Sequence, residues 1–251
     1  MNIAGRVMEK VRPVILSGGL GTRLRPRTEH IPKPLIPVDG RPLLWYVFDS
    51  LSGYTVSQPI VVLGYKAELI QAYFETSNVE FRYLPGRTMA QAFLEVTETD
   101  TAPAFLCMSS DVIFGKQPVA TTLEAHEQSK EDVALFVNLN IAGHKNWEFI
   151  VHNEHLIDVR RKPTKTNNER LLLLVKKESL QRVRESLPNP ITDENVPDKL
   201  KGFQTGWTLI LKIMTELGIP IYSKFVDAPM QNVNAPGDLA LAEILVKEHL
   251  K

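Results

Sequence analysis

Between Leu16 and Leu35 the chain reads LSGGLGTRLRPRTEHIPKPL. Ser17, Gly18, Gly19 and Gly21 directly follow an apolar run, Pro13 to Ser17 (PVILS). Small residues in succession let a backbone turn tightly and approach an anion, and their free N–H groups form a concave nest for phosphate. Arg23 and Lys33 add charge suited to a triphosphate, Arg through a planar fork and Lys as a compact point charge. The plain alternative is a glycine-rich β-turn carrying solvated basic residues. The stretch lacks the G-x-x-x-x-G-K-[ST] spacing of a Walker loop. It also puts Leu24 where a dinucleotide fingerprint needs its third glycine.

Such a loop must be held by a scaffold, and the flanking pattern describes one. Strands are expected over 13–17, 59–63, 79–84 and 104–108, with helical spacing over 42–51, 66–74 and 88–96 between them. This alternation predicts an α/β fold: a Rossmann-like, doubly wound, mainly parallel sheet with helices on both faces. The ligand crevice then lies beyond the carboxyl ends of the strands. After about residue 133, short strands over 133–137, 149–151, 156–159 and 171–175 mark a mixed-sheet region. Residues 188–202 read as a Pro-rich polar surface loop, 206–218 as a helix, 219–225 as extended and 238–250 as a closing helix. One domain over 1–251 is expected, with a nucleotide-binding half to about 115 and an acceptor half over 116–251.

From Gly18 to Leu35 the sequence closely follows G-G-x-G-T-R-L-x-P-x-T-x-x-x-P-K-P-L. That pattern resembles the signature of the sugar-phosphate nucleotidylyltransferases, especially the glucose-1-phosphate thymidylyl- and uridylyltransferases. Later segments resemble the family in order: VVLGYKAELIQAYF, AQAF, Ser110-Asp111, Arg161-Lys162-Pro163 and NVNAPGDL. The resemblance implies the nucleotide-diphospho-sugar transferase fold. It also implies Mg²⁺-dependent transfer of a nucleotidyl group from an NTP, UTP or dTTP first, to a sugar 1-phosphate. The phosphate oxygen attacks the α-phosphorus directly and pyrophosphate leaves, so no protein nucleophile is required. Catalysis reduces to aligning two anions and neutralising their charge.

Carried residue by residue, the resemblance gives Arg23, Lys33 and Asp111 as catalytic. Leu16, Gly18, Gly19, Gly21, Thr22 and Gln91 would contact the nucleotide, the Gln91 amide pairing with a pyrimidine edge. Asp111 follows the apolar AFLCM run and suits Mg²⁺ at a strand end; an Asp capping a turn is the alternative. The second metal ligand is Asn234 or Asn232, where the family commonly has Asp, and Asp238 reads as a helix-entry residue. Lys162, Arg161 and Gly206 would face the sugar phosphate. Ser110 stands where the family has Gly, and Arg161 where it has Glu. Tyr83 and Thr88 also depart from the thymidylyl pattern, which leaves the base open.

Lys plus Arg is 29 and Asp plus Glu is 29, a net charge of +0 that gives no support to a nucleic-acid or membrane-surface binder. Cys107 is the one cysteine, which excludes an intramolecular disulfide and a Cys-based zinc site. The six histidines show no metal spacing and read as solvated. No apolar run is long enough for a membrane span or signal peptide, so a cytoplasmic protein is expected. No hexapeptide repeat is present, so a left-handed β-helix acyltransferase domain is not expected. Dimers and tetramers are common in the family, so a homo-oligomer accords with the resemblance, though no segment marks an interface. Two other readings stay open. One is a non-catalytic nucleotide-sugar sensor of the same fold. The other is transfer to an alditol, inositol or choline phosphate.

Overall fold

The computed structural model describes residues 11–54, 56–137, 147–161, 171–188, 191, 196–200, 203 and 206–250. The chain opens with β1 (Val11–Ser17), the short helix α1 (Arg27–His30), β2 (Pro37–Val38), β3 (Arg41–Pro42) and α2 (Leu43–Leu51). Next come β4 (Ile60–Leu63), α3 (Ala67–Tyr73), β5 (Glu80–Tyr83), α4 (Met89–Thr99) and β6 (Ala104–Ser109). The second half runs through β7 (Val112–Phe114), α5 (Lys116–Ser129), β8 (Asp132–Val137), β9 (Trp147–His152) and β10 (His155–Arg161). It ends with β11 (Leu171–Lys176), α6 (Lys177–Glu185), α7 (Trp207–Glu216), β12 (Ile221–Val226), β13 (Met230–Asn232) and α8 (Pro236–His249).

Among the described residues nine strands form one sheet, in the order β5-β4-β1-β6-β11-β8-β12-β10-β9. β5, β4, β1 and β6 are mutually parallel, as the β-α alternation predicts. β11 runs antiparallel to both β6 and β8, whereas β12 is parallel to β8 and antiparallel to β10. The sheet is therefore mixed beyond β6.

Strand periodicity sends alternate side chains into two cores. Val14 and Leu16 of β1 face the cluster closed by α4, α6 and α7. Val11 and Ile15 face the cluster under α2, α3 and α5. A third cluster joins Leu24, Ile36 and Val38 to Leu239, Ala242 and Val246 of α8. This third core ties the segment after the glycine loop to the C-terminal helix.

The structure corrects the reading of 188–202 as a surface loop. Ile191, Val196 and Leu200 are buried in the cluster with α7, so the polar composition of the stretch hid apolar anchors. Of the histidines read as solvated, His30, His152 and His249 are exposed, whereas His126 and His155 are partly buried and bonded. The His155 ring bonds the Glu131 carboxylate at 2.9 Å, and the His126 ring bonds the Glu131 carbonyl at 2.7 Å.

Candidate functional site

β1 is the switch point of the parallel half. From it the chain adds β4 and β5 on one side, then crosses back to β6 on the other. The crevice beyond the strand ends therefore opens between the turn after β1 and the turn after β6. A cleft with about 240 Å³ of water-accessible space lies there. Its lining includes Leu16, Gly18, Gly19, Gly21, Thr22, Arg23 and Lys33 from the first turn, with Ser109, Ser110 and Asp111 from the second. Met89 and Asn234 complete the wall.

The glycine turn is held from several sides. Gly21 adopts φ +63°, and a Cβ there would come within 2.8 Å of the Thr28 side chain. The Thr28 hydroxyl donates to the Gly21 carbonyl at 3.0 Å. Gly18 lies against Gly64, so closely that a Cβ on Gly64 would stand 2.7 Å from the Gly18 oxygen. The Tyr65 hydroxyl donates to the Thr28 carbonyl, and the Lys66 ammonium to the carbonyls of Glu29 and His30. Leu24, 2% exposed, plugs the third core and pins the chain next to Arg23. The nest is thus a rigid part of the scaffold.

The charged groups converge from distant parts of the sequence. β7 pairs with β13, and the Val233 N–H donates to the Asp111 carbonyl at 2.9 Å. This brings the C-terminal turn to the end of β6. The Lys33 ammonium donates to Asp111 Oδ2 at 2.5 Å and to Asn234 Oδ1 at 2.9 Å. Arg23 donates to the same Asn234 oxygen at 2.9 Å, across 211 positions of sequence. The Ser109 hydroxyl donates to Asp111 Oδ1 at 2.5 Å. The Asp238 carboxylate accepts from the backbone N–H of Asn234 and of Ala235, which fixes the turn at the entry to α8. Asp238 therefore has the helix-entry position expected of it.

Of the two asparagines, Asn234 is the one in the cleft lining; Asn232 is 7% exposed on β13. Gln91 does not line this cleft. It is 8% exposed, its amide donates to Glu95 at 3.0 Å, and it lines a separate pocket with Arg184 and Ile191. Met89, two residues earlier and so on the opposite side of α4, faces the cleft instead. Gly206 is the N-cap of α7 and is absent from the cleft's described lining. Arg161 ends β10, with its side chain outside the described residues, and Lys162 lies outside them altogether.

Two contributors, Gly64 and Ser109, were missed in the sequence, and a third, Ser17, was read only as one of the small residues of the turn. Gly64 was hidden because its constraint is a contact with Gly18 rather than a local motif. Ser109 orients Asp111; the expected strand stops at residue 108 and gives Ser109 no role. Ser17 lines the cleft, and its buried Oγ has no hydrogen-bond partner among the described residues.

This arrangement can grip a polyanion. It has a backbone nest, two cations at its mouth, and one carboxylate beside one amide oxygen as donors to a metal ion.

Comparison with known proteins agrees. A UTP–glucose-1-phosphate uridylyltransferase of Haloferax volcanii is 34% identical over 132 residues, covering 51% of this chain and 54% of the relative. A D-glycero-α-D-manno-heptose 1-phosphate guanylyltransferase of Aneurinibacillus thermoaerophilus is 32% identical over 131 residues, covering 49% and 55%. The match thus spans about half the length of these relatives. The fold is shared with a Bacillus anthracis protein assigned as a glucose-1-phosphate thymidylyltransferase, solved with a sucrose. Its TM-score is 0.75 at 17% identity, over 95% of this chain and 96% of the other. The family model for the MobA-like NTP transferase domain matches residues 13–183, and the chain belongs to that family.

Proposed function

We propose that this chain is a sugar-1-phosphate nucleotidyltransferase, joining the nucleotidyl group of an NTP to the acceptor phosphate and releasing pyrophosphate. One observation carries the reading: Arg23, Lys33, Asp111 and Asn234 meet at a glycine nest on the switch point of the sheet. No nucleophilic side chain is needed. An acceptor phosphate oxygen attacks the α-phosphorus, and the bond to the β-phosphate bridging oxygen breaks. The electron pair leaves with pyrophosphate.

Each residue has a defined task. Backbone N–H groups from Gly18 to Thr22 hold the phosphates. The Arg23 fork grips the departing pyrophosphate, and the Lys33 ammonium turns from Asp111 towards phosphate oxygen. Ser109 keeps Asp111 aimed while Lys33 moves. Asp111 and Asn234 fit a magnesium ion that shares the substrate's phosphates, because Mg²⁺ takes one or two protein oxygens and keeps other ligands. When bound, it would neutralise charge building on the phosphates.

UTP is the first choice of nucleotide, following the uridylyltransferase relative. The guanylyltransferase relative keeps GTP in the screen. The half to about residue 115 would take the nucleotide, and the half after it the acceptor.

The test is pyrophosphate release with Mg²⁺ across a matrix of NTPs and sugar 1-phosphates. Inositol and choline phosphates extend the acceptor set. Turnover confined to one pair fixes both substrates. Nucleotide binding by calorimetry without turnover of any pair would replace the enzyme reading with a sensor. Absence of nucleotide binding would overturn the phosphate-nest assignment.

A further inference from the structure

We infer that Phe225 is a specificity-determining residue of the acceptor subsite, its exposed ring forming the far wall against which the apolar face of a pyranose packs. The inference rests on the nucleotidyltransferase reading and adds a residue that the family pattern did not supply.

Strand register carries the argument. Leu16 pairs with Ser109 across β1 and β6, and both line the cleft. Continuing the antiparallel β6–β11 register two residues beyond its last pair, Cys107–Leu173, would bring Leu171 level with Ser109. Leu171 pairs with Phe136 on β8, and Phe136 pairs with Phe225 on β12. Leu16, Ser109, Phe136 and Phe225 thus stand in one row across the sheet, at the strand ends that form the cleft.

The row also shares a face. Leu16, Cys107, Leu173 and Phe136 all belong to the core under α4, α6 and α7. Ser109 lies two residues beyond Cys107 and so points the same way. The Phe225 ring stacks on Phe136 at 5.2 Å and 25°, and Phe149 also packs against Phe136, at 4.5 Å. Strands lie about 4.8 Å apart, so three steps place Phe225 roughly 14 Å from Ser109. That span admits a phosphate and one pyranose ring laid along the row.

Phe136 is 1% exposed, whereas Phe225, at the end of the same row, is 52% exposed. A flat aromatic face next to an anion-binding cleft suits a ligand with a charged end and a ring whose C–H face is apolar. A hexose 1-phosphate has that form; an open-chain alditol phosphate lacks the ring face. Phenylalanine offers no hydrogen bond, so Phe225 would discriminate by ring shape rather than by any one hydroxyl.

The test uses the full chain with UTP, Mg²⁺ and glucose 1-phosphate as probe. Initial rates of pyrophosphate release and saturation-transfer NMR on the sugar protons are measured for wild type, Phe225→Ala and Phe225→Trp. The NMR arm requires binding but no turnover. The expected result is a KM for glucose 1-phosphate raised roughly 5- to 10-fold in Phe225→Ala, with the KM for UTP unchanged. Sugar saturation transfer should be lost in that variant and regained in Phe225→Trp. Equal saturation in wild type and Phe225→Ala, or a matching shift of both KM values, would overturn the subsite. Phe225-dependent binding without turnover would support the subsite while removing the reaction. Turnover indifferent to Phe225 would do the reverse. Failure of glucose 1-phosphate both to bind and to react would overturn the hexose wall.

Discussion

Lys33 is the pivot of the cleft, because one ammonium serves both Asp111 and Asn234. An Asp at 234 would give Lys33 and Arg23 two carboxylates to share; the amide gives them one. The cleft therefore keeps more positive charge for phosphate and offers less attraction to a bare metal ion. Two predictions follow at this scale. Removing Arg23 or Asp111 as Ala should cost about 10²- to 10³-fold in kcat/KM for pyrophosphate release, the size seen when a group aimed at transition-state charge is deleted. Asn234→Asp should bind Mn²⁺ about tenfold more tightly without nucleotide, as read by the loss of its free-ion EPR signal. Unchanged binding would place position 234 outside the metal's reach. The asparagines also show where sequence reasoning stopped. The sequence favoured Asn234 over Asn232 only marginally, and it is the β7–β13 ladder, two three-residue strands, that brings Asn234 to the cleft.

Between elements, Gly18 and Gly64 bring the turns after β1 and β4 together backbone to backbone. Gly64→Ala places a methyl carbon 2.7 Å from the Gly18 carbonyl, and both atoms belong to stiff turns. The expected loss is about 1–3 kcal/mol of unfolding free energy in urea, with weaker nucleotide binding because the nest itself must shift. Gly19→Ala, whose Cβ would meet nothing within 4 Å, should leave stability unchanged and serves as the control. The β-α alternation up to β6 was legible because buried parallel strands such as Ile60–Leu63 read as unbroken apolar runs. Helix α5 was not: its KQPVATTLEAHEQS sequence gives too weak an apolar stripe. Gln91 was placed by motif and landed on the Glu95 side of α4, because two residues, about half a helical turn, separate Met89, which faces the cleft, from Gln91, which does not.

Across the whole molecule, no described helix is long and apolar enough to cross a membrane, and the balanced charge is organised into clamps at the sheet's periphery. Arg12 on β1 binds both Glu80 of β5 and Asp100 after α4, spanning strands that do not touch one another. Burial alone would raise the Glu80 carboxyl. Hydrogen bonds from Arg82 and Arg12, with their charges, outweigh it and hold Glu80 below its ordinary value of 4.5. Asp158, held chiefly by Lys212 of α7 against its own burial, is likewise lowered from 3.8. Asp132 is the opposite case. It is 1% exposed, and burial raises it above 3.8 despite hydrogen bonds from the Lys176 N–H and Ser179 hydroxyl. A lowered acid adds stability that is present above its unfolded value and lost as pH falls through its folded one. A raised acid does the reverse, and its contribution disappears as pH rises past 3.8 towards its folded value. Urea unfolding from pH 3 to 7 should therefore separate two variants. Glu80→Gln should be destabilised most at pH 7 and converge on wild type as the medium turns acid. Asp132→Asn should be least favourable against wild type near pH 3 and improve steadily towards pH 7. Parallel curves for the two variants would mean that neither carboxyl titrates differently on folding.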